Sequence, residues 1–139
     1  MERFLFFDHT ADVGIKAFGR TLSEAFQNAA LAVFELITDT SKVKWSIRRN
    51  LRVKGTDLDN LLYNWIESLL VLYDSELLLF SRFDVRLNED PPTIDAEVWG
   101  EKFNREVHEP RMVVKAMTYH MMEISLQEGF YTLTFVVDI

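Results

Sequence analysis

The sequence predicts an α+β fold in which two amphipathic helices pack on a mixed, mainly antiparallel β-sheet. Only two segments, 22–37 and 58–73, keep the helical spacing of apolar residues. The other apolar segments are short, and they follow one another in hairpin-like pairs. Two helices are too few to cover both faces of a large parallel sheet, so a mainly antiparallel arrangement is favoured.

The composition favours one domain over residues 1–139. Hydrophobic residues make up 48% of the chain and aromatic residues 13%, so a sizeable core can form. No segment approaches the roughly 20 apolar residues that span a membrane, and the N-terminal segment lacks the features of a signal peptide. We therefore expect a cytoplasmic protein that does not contact membranes. The absence of cysteine excludes disulfides, thiolate zinc sites and cysteine nucleophiles.

The order of elements follows from apolar periodicity and from helix caps. The spacing of Thr21 and Glu24 is that of a capping box, so the first helix begins there and ends near 38–39. Thr56 is predicted to cap the second helix. Segment 112–126 is ambiguous, and we predict a short helical turn followed by a strand. The remaining predicted strands cover residues 3–7, 11–18, 45–54, 77–87, 93–100 and 130–139.

Acidic and imidazole side chains are close together between the first two predicted strands, at Asp8, His9 and Asp12. Strand alternation places Asp12 on the less apolar face, beside Gly14, which leaves space there. A polar turn, in which Asp and Thr side chains bind the backbone, explains the same residues. On composition alone this second interpretation is favoured.

The C-terminal residues supply the other half of a candidate site. Asp138 lies on the more polar face of the last strand and is followed by Ile139. If the first and last strands are near neighbours, then Asp12, Asp138 and the carboxylate or carbonyl of Ile139 converge. Ligands that are all oxygen favour calcium or magnesium over zinc. The alternative is that Asp138 is simply exposed to solvent.

Further residues are capable of acid–base chemistry, namely Lys115 and His120. No obvious nucleophile accompanies them, so a structural histidine is the favoured interpretation. His9 and His120 can instead form a polar pair beside the metal site. A metal-dependent hydrolase at Asp8, His9, Asp12 and His120 remains an alternative, although the chain has no glycine-rich phosphate loop and no nucleophile elbow.

Basic residues alternate along the third predicted strand in a protein whose net charge is −7. The row runs from Arg48 through Arg52 to Lys54. It is either a solvated strand face that opposes edge pairing or a contact for RNA or an acidic partner. Aromatic residues are scarce in this segment, and the net charge disfavours direct nucleic-acid binding. An RNA chaperone that uses this row is therefore an alternative function.

Four stretches together resemble the archease family, and the resemblance covers nearly the whole chain. They are Asp8-His-Thr-Ala-Asp-Val-Gly14, Gly100-Glu101 with His108-Glu-Pro110, Lys115-Ala-Met-Thr-Tyr-His120 and Asp138-Ile139. The helix around Trp65 is also similar. One departure is Asn104, where the family pattern leads us to expect an acidic residue.

The resemblance implies a non-enzymatic activator of the tRNA-splicing RNA ligase. Such a protein promotes guanylylation of the ligase, supports multiple turnover and broadens nucleotide use. A tRNA methyltransferase is a second partner proposed within the family, and modulating it is an alternative function. The resemblance also implies a site for calcium, or for another hard divalent cation such as magnesium or manganese, with Asp12, Asp138 and Ile139 as ligands. Accessory or partner-contact roles are expected for Asp8, His9, Lys115 and His120.

Overall fold

The structure is a computed structural model that describes residues 2–9 and 11–139. Within these residues two helices and eight strands form an α+β fold, which confirms the predicted fold class. In chain order the elements are β1 (Phe4–His9), β2 (Asp12–Gly19), α1 (Leu22–Ile37), a 3₁₀ turn (Thr40–Lys42), β3 (Ile47–Lys54), α2 (Leu58–Glu76), β4 (Leu78–Glu89), β5 (Pro92–Lys102), β6 (Ala116–Met117), β7 (Glu123–Gln127) and β8 (Phe130–Asp138). In the part of the chain so described, no helix is long and apolar enough to cross a membrane.

The strands form two sheets rather than the single sheet that was predicted. The first sheet has the order β1-β2-β8-β6, with β7 also paired to β8. The second sheet has the order β3-β5-β4. All of these strand pairs are antiparallel. The division falls at α1, which carries the chain from β2 in the first sheet to β3 in the second.

Helix α1 lies between the two sheets. Its N-terminus is the predicted capping box, because Thr21 Oγ1 accepts a hydrogen bond from the Glu24 amide at 3.1 Å and Glu24 accepts one from the Arg20 amide at 3.2 Å. Most of the helix is buried on all sides. It packs against β2 and β8 of the first sheet and against β4 of the second. A helix with apolar residues on several sides requires such a buried position.

Helix α2 begins one residue later than the sequence predicts. Its N-cap is Asp57, whose carboxylate accepts from the Asn60 amide at 2.8 Å. The predicted cap, Thr56, instead uses its amide to bind the Asn60 side chain at 3.0 Å. An aspartate is as good an N-cap as a threonine, so the two adjacent residues compete for this position. The buried Trp65 indole ties α2 to α1 by donating to the Phe26 carbonyl at 3.0 Å.

The open edge of the second sheet is covered by α1. Gln27 accepts a hydrogen bond from the Val85 amide at 3.0 Å, and Ser23 accepts one from the Leu87 amide at 3.1 Å. These side chains satisfy amides of β4 that would otherwise be free to pair with another chain. They also set the position of the second sheet relative to the helix.

The helical turn predicted at the start of 112–126 is wrong. The chain is irregular there until β6, and its amides pair with the C-terminal carbonyls of α1. Arg111 donates to the Ile37 carbonyl at 3.1 Å, and Met112 donates to the Leu36 carbonyl at 3.0 Å. Carbonyls in the last turn of a helix lack partners within the helix, and an extended neighbouring segment satisfies them.

A buried histidine holds the segment before β6 against the second sheet. His108 is 1% exposed, and its Nδ1 accepts from the Asn104 amide at 2.8 Å. Its Nε2 therefore donates to Glu101 Oε2 at 2.8 Å, and the same oxygen accepts from the Lys44 amide at 2.9 Å. Burial raises the pKa of Glu101, but these two hydrogen bonds outweigh burial and hold the pKa below its usual range.

Asn104, the departure from the family pattern, closes the turn of this segment. Its side-chain oxygen accepts from the Glu106 amide at 3.0 Å, and its own amide binds His108. An aspartate would supply the same acceptor. The structure thus gives Asn104 a local role in the turn that does not need a negative charge.

Gly100→Ala should lower the free energy of unfolding by about 3 kcal/mol. A Cβ at Gly100 would overlap the main-chain carbonyl of Leu79, which cannot swing away, next to the bulge in β4. Gly129→Ala is the matched control, because its Cβ would meet nothing within 4 Å. Only the φ of +83° opposes alanine there, at about 1 kcal/mol. Equal losses in urea denaturation would contradict this account.

Glu101→Gln should lower the free energy of unfolding by about 1 kcal/mol near neutral pH. In acid the substitution should leave the free energy of unfolding unchanged. The pKa of Glu101 is held below its usual 4.5, so the unfolded chain takes up the proton more readily than the folded protein does. The stabilisation is therefore complete above pH 4.5 and is lost as the pH falls. Denaturation over a pH series measures this difference, with Glu106→Gln as control. A difference that grows towards acid would contradict the prediction.

Candidate functional site

The pairing of β2 with β8 places Asp12 directly opposite Asp138. In the same register Val13 faces Val137, and both valines are buried in the core. Because side chains alternate along a strand, the two aspartates lie on the opposite face, away from the core. Residues paired in this way have Cα atoms about 4.5–5.5 Å apart and point to the same side. The structure therefore brings these two predicted site residues together.

The main chain at Asp138 is held from both sides. On one side it pairs with Asp12, and on the other it pairs with Ala116. The Lys115 amide also donates to the Asp138 carbonyl at 2.8 Å. Ile139 follows directly, so its main-chain oxygens lie next to a fixed strand end.

His9 extends the row of polar side chains by one more strand. It is the partner of Asp12 in the β1–β2 pair, so both side chains lie on the same face. Its Nε2 lies 3.0 Å from Nε2 of His120, and the two ring centroids are 4.6 Å apart. The Nδ1 atom of His9 is buried and has no hydrogen-bond partner among the described residues. The predicted histidine pair is thus present beside the two aspartates.

His120 is positioned by the two residues before it. The Thr118 hydroxyl donates to the Val136 carbonyl at 2.9 Å and accepts from the His120 amide at 3.2 Å. The Tyr119 ring stacks on Tyr63 of α2 at 4.4 Å between centroids, with 7° between the ring planes. These contacts fasten the segment to β8 on one side and to α2 on the other. Sequence patterns gave no indication of this attachment, because it depends on where α2 lies.

Asp8 and Gly14 lie apart from this row of polar side chains, and the partner-contact role of Asp8 stays a prediction. Asp8 pairs with Val13, so its exposed side chain lies on the face opposite to Asp12. The space expected beside Gly14 is filled, because the Phe7 ring lies where a Cβ would be. Gly14 therefore accommodates an aromatic ring rather than a ligand.

The donor set fits a hard cation that keeps part of its water shell. Neither Asp12 nor Asp138 forms a salt bridge with any described residue, and like charges directly opposite each other on neighbouring strands are destabilising. A cation would offset this repulsion. In residues 2–9 and 11–139, however, no three His, Asp or Glu side chains form a metal-binding cluster. Main-chain oxygens such as those of Ile139, together with water, would have to complete a shell of the calcium type.

Comparison with known proteins shows similarity over the whole chain. The model of the Archease protein family (MTH1598/TM1083) matches residues 4–139. The chain is 59% identical to Protein archease of Sulfurisphaera tokodaii and 60% identical to that of Sulfolobus acidocaldarius, in each case over 139 residues and 100% of both chains.

Solved structures show the same fold. Protein 1598 of Methanobacterium thermoautotrophicum superimposes with a TM-score of 0.88 at 42% identity, and the match covers 100% of both chains. A Thermotoga maritima archease and possible chaperone superimposes with a TM-score of 0.66 over 96% of this chain and 94% of that one. At 16% identity the second match shows the fold alone. From the family match and the near-60% identities, the chain belongs to the Archease protein family.

Proposed function

We propose that this chain is a non-enzymatic activator of the tRNA-splicing RNA ligase and that it holds a hard divalent cation, with calcium as the first candidate, at Asp12, Asp138 and Ile139. The observation that carries the proposal is the in-register pair of aspartates without a basic partner among the described residues. Family membership supports the class of function. The activator promotes guanylylation and multiple turnover of the ligase and broadens its nucleotide use.

The arrangement around the aspartates favours an activator over a hydrolase. A hydrolase at this site would use Asp8 and Asp12 together, but the two side chains lie on opposite faces of the first sheet. The Thr118 hydroxyl is already engaged in two hydrogen bonds and is not a free nucleophile. What remains is a set of ligands and proton donors at one end of a rigid sheet, which suits contact with another protein's active site.

The residues around the pair would form the contact with the ligase. Asp12 and Asp138 hold the cation, and the exposed side chains of Lys115 and His120 lie on the segment beside them. A bound cation would supply positive charge for a nucleotide triphosphate or for acidic groups of the ligase. The chain activates by binding best to the ligase conformation that is ready for guanylylation, because a partner shifts an equilibrium only through such differential affinity.

Addition of this protein to purified ligase, GTP and divalent metal should increase the number of RNA joints formed per ligase. Asp12→Asn should remove most of that increase at limiting metal, because it neutralises one of the two carboxylates. The measurement is ligation with substrate in excess over ligase. Asp74→Asn, which neutralises an exposed aspartate on α2, is the matched control and should activate like the wild type. Full activation by Asp12→Asn would refute the role of the site, and no activation by the wild type would refute the function.

Calcium binding by the isolated protein should weaken at least roughly 10-fold in Asp12→Asn and in Asp138→Asn. Each substitution keeps the side-chain shape but removes a charged oxygen ligand. Isothermal titration calorimetry of the metal-free protein measures this affinity. His120→Gln tests whether the nearby imidazoles participate, and calcium affinity should be unchanged because calcium prefers oxygen. Wild-type affinity in both aspartate variants would place the cation elsewhere.

A further inference from the structure

Among residues 2–9 and 11–139, no helix covers the outer face of the second sheet. Its inner face packs on the helices through residues such as Val53, Ala96 and Val85, and alternate positions point outward. Basic side chains occupy both outer strands of this face. They are Arg48, Arg52 and Lys54 on β3 and Arg82 and Arg86 on β4.

This face is locally basic on an acidic protein. Its five basic side chains meet four acidic ones, Asp84, Asp95, Glu97 and Glu101, whereas the whole chain has a net charge of −7. Of these, Glu101 is already bound to His108 and to the Lys44 amide. The two ion pairs on the face are exposed. Arg48 binds Glu97 at 3.2 Å and Arg52 binds Asp95 at 3.5 Å, with the arginine side chains 59% and 65% exposed. Exposed pairs of this kind are weak, so a phosphate can replace the carboxylate partner.

Three of the basic side chains have no acidic partner at all among the described residues. These are Lys54, Arg82 and Arg86. The two arginines lie on β4, on the far side of the central strand from the basic row that the sequence showed. The structure therefore extends that row into a basic surface that lies on both sides of β5.

Two tryptophans lie at one end of the same face. Trp99 lies between Arg48 and Arg82 in the cross-strand register. The Arg82 guanidinium is 4.3 Å from the Trp99 ring centroid and 4.9 Å from that of Trp45. Trp45 is 58% exposed and is held in place because its indole donates to Ser81 at 3.0 Å. The aromatic residues that are scarce along the basic row itself are thus supplied by neighbouring segments.

A fixed, exposed tryptophan beside arginines is suited to a nucleobase. Bases stack on aromatic rings and on guanidinium planes, while arginines and lysines contact the phosphates. An acidic peptide would use the positive charges but would gain little from Trp45. A duplex presents two phosphate backbones and no free base face, and the acidic side chains of central strand β5 would repel it. The surface therefore matches single-stranded RNA best.

We propose that the outer face of the second sheet binds single-stranded RNA, with a base stacked at Trp45 and with phosphates at Arg82, Arg86 and Arg48. This surface lies on a different sheet from Asp12 and Asp138, and it goes beyond activation of the ligase. It would allow the protein to hold an RNA end while its other sheet contacts a protein partner. Binding is expected to be weak, because the overall negative charge and the acidic central strand both oppose it.

The test is fluorescence anisotropy of a labelled 15-nucleotide single-stranded RNA titrated with the protein. Affinity should fall about 10-fold between 50 and 200 mM salt, as expected for two to three phosphate contacts. Trp45→Ala should weaken binding at least about five-fold, and Trp45→Phe should restore most of it because the ring is retained. Arg86→Gln should weaken binding and lower the salt slope by about 0.7, whereas Lys16→Gln, on the first sheet, should do neither.

Several results would overturn the proposal. They are absence of binding at 50 mM salt, equal losses in Arg86→Gln and Lys16→Gln, and wild-type affinity in Trp45→Ala. Equal affinity for a duplex of the same sequence would show that the surface recognises only the negative charge of the phosphates. Displacement of the RNA by polyglutamate at equal residue concentration would favour an acidic protein partner instead. Asp12→Asn should bind RNA like the wild type, so failure of this proposal is separable from failure of the proposed ligase function.

Discussion

The structure depends on the register between β2 and β8. This pairing joins the second strand to the last one and places Val13 against Val137 and Ile15 against Phe135 in the core. A shift by one residue would turn every one of these apolar side chains outward, which the buried face does not allow. The same register leaves Asp12 and Asp138 opposite each other on the outer face. Packing of the core therefore enforces a contact between two like charges, and the candidate site is a consequence of that constraint.

The other elements fix the surroundings of this pair. Helix α1 packs against β2 and β8 from the inside, and α2 holds the segment before β7 through the stacked rings of Tyr63 and Tyr119. That segment in turn places His120 against His9. The outer face of the second sheet is built separately, and its chemistry of arginines and tryptophans is unlike that of the acidic pair.

Local patterns in the sequence predicted what depends on local physics. Alternation correctly assigned Val13, Ile15 and Ala17 to the buried face of β2, and the capping box correctly began α1 at Thr21. The aspartates were assigned to the less apolar faces for the same reason. Their convergence could be predicted only on the condition that the strands carrying them are neighbours. The structure shows that these strands, β2 and β8, are paired. Whether a cation binds there stays a prediction.

Features that arise from distant partners could not be predicted. Segment 112–126 does not begin with a helical turn, because the carbonyls at the end of α1 take up the amides of Arg111 and Met112. The space over Gly14 is filled by Phe7 from the neighbouring strand, and Trp99 reaches the basic row only through the pairing of β3 with β5. The division into two sheets has the same origin, since it is set by how α1 separates the strands.

The most direct test of whether the core forces two carboxylates together is a double-mutant cycle measured by thermal unfolding. The variants are Asp12→Asn, Asp138→Asn and the double substitution. Each is unfolded once with a chelator present and once with calcium present. In chelator, each single substitution should stabilise the protein by about 0.5 kcal/mol, and the second should add almost nothing once the first has removed the repulsion. In calcium the order should reverse, with the wild type the most stable of the four proteins. Additive effects that do not change with calcium would show that the two carboxylates neither repel each other nor share a cation, and would contradict the account.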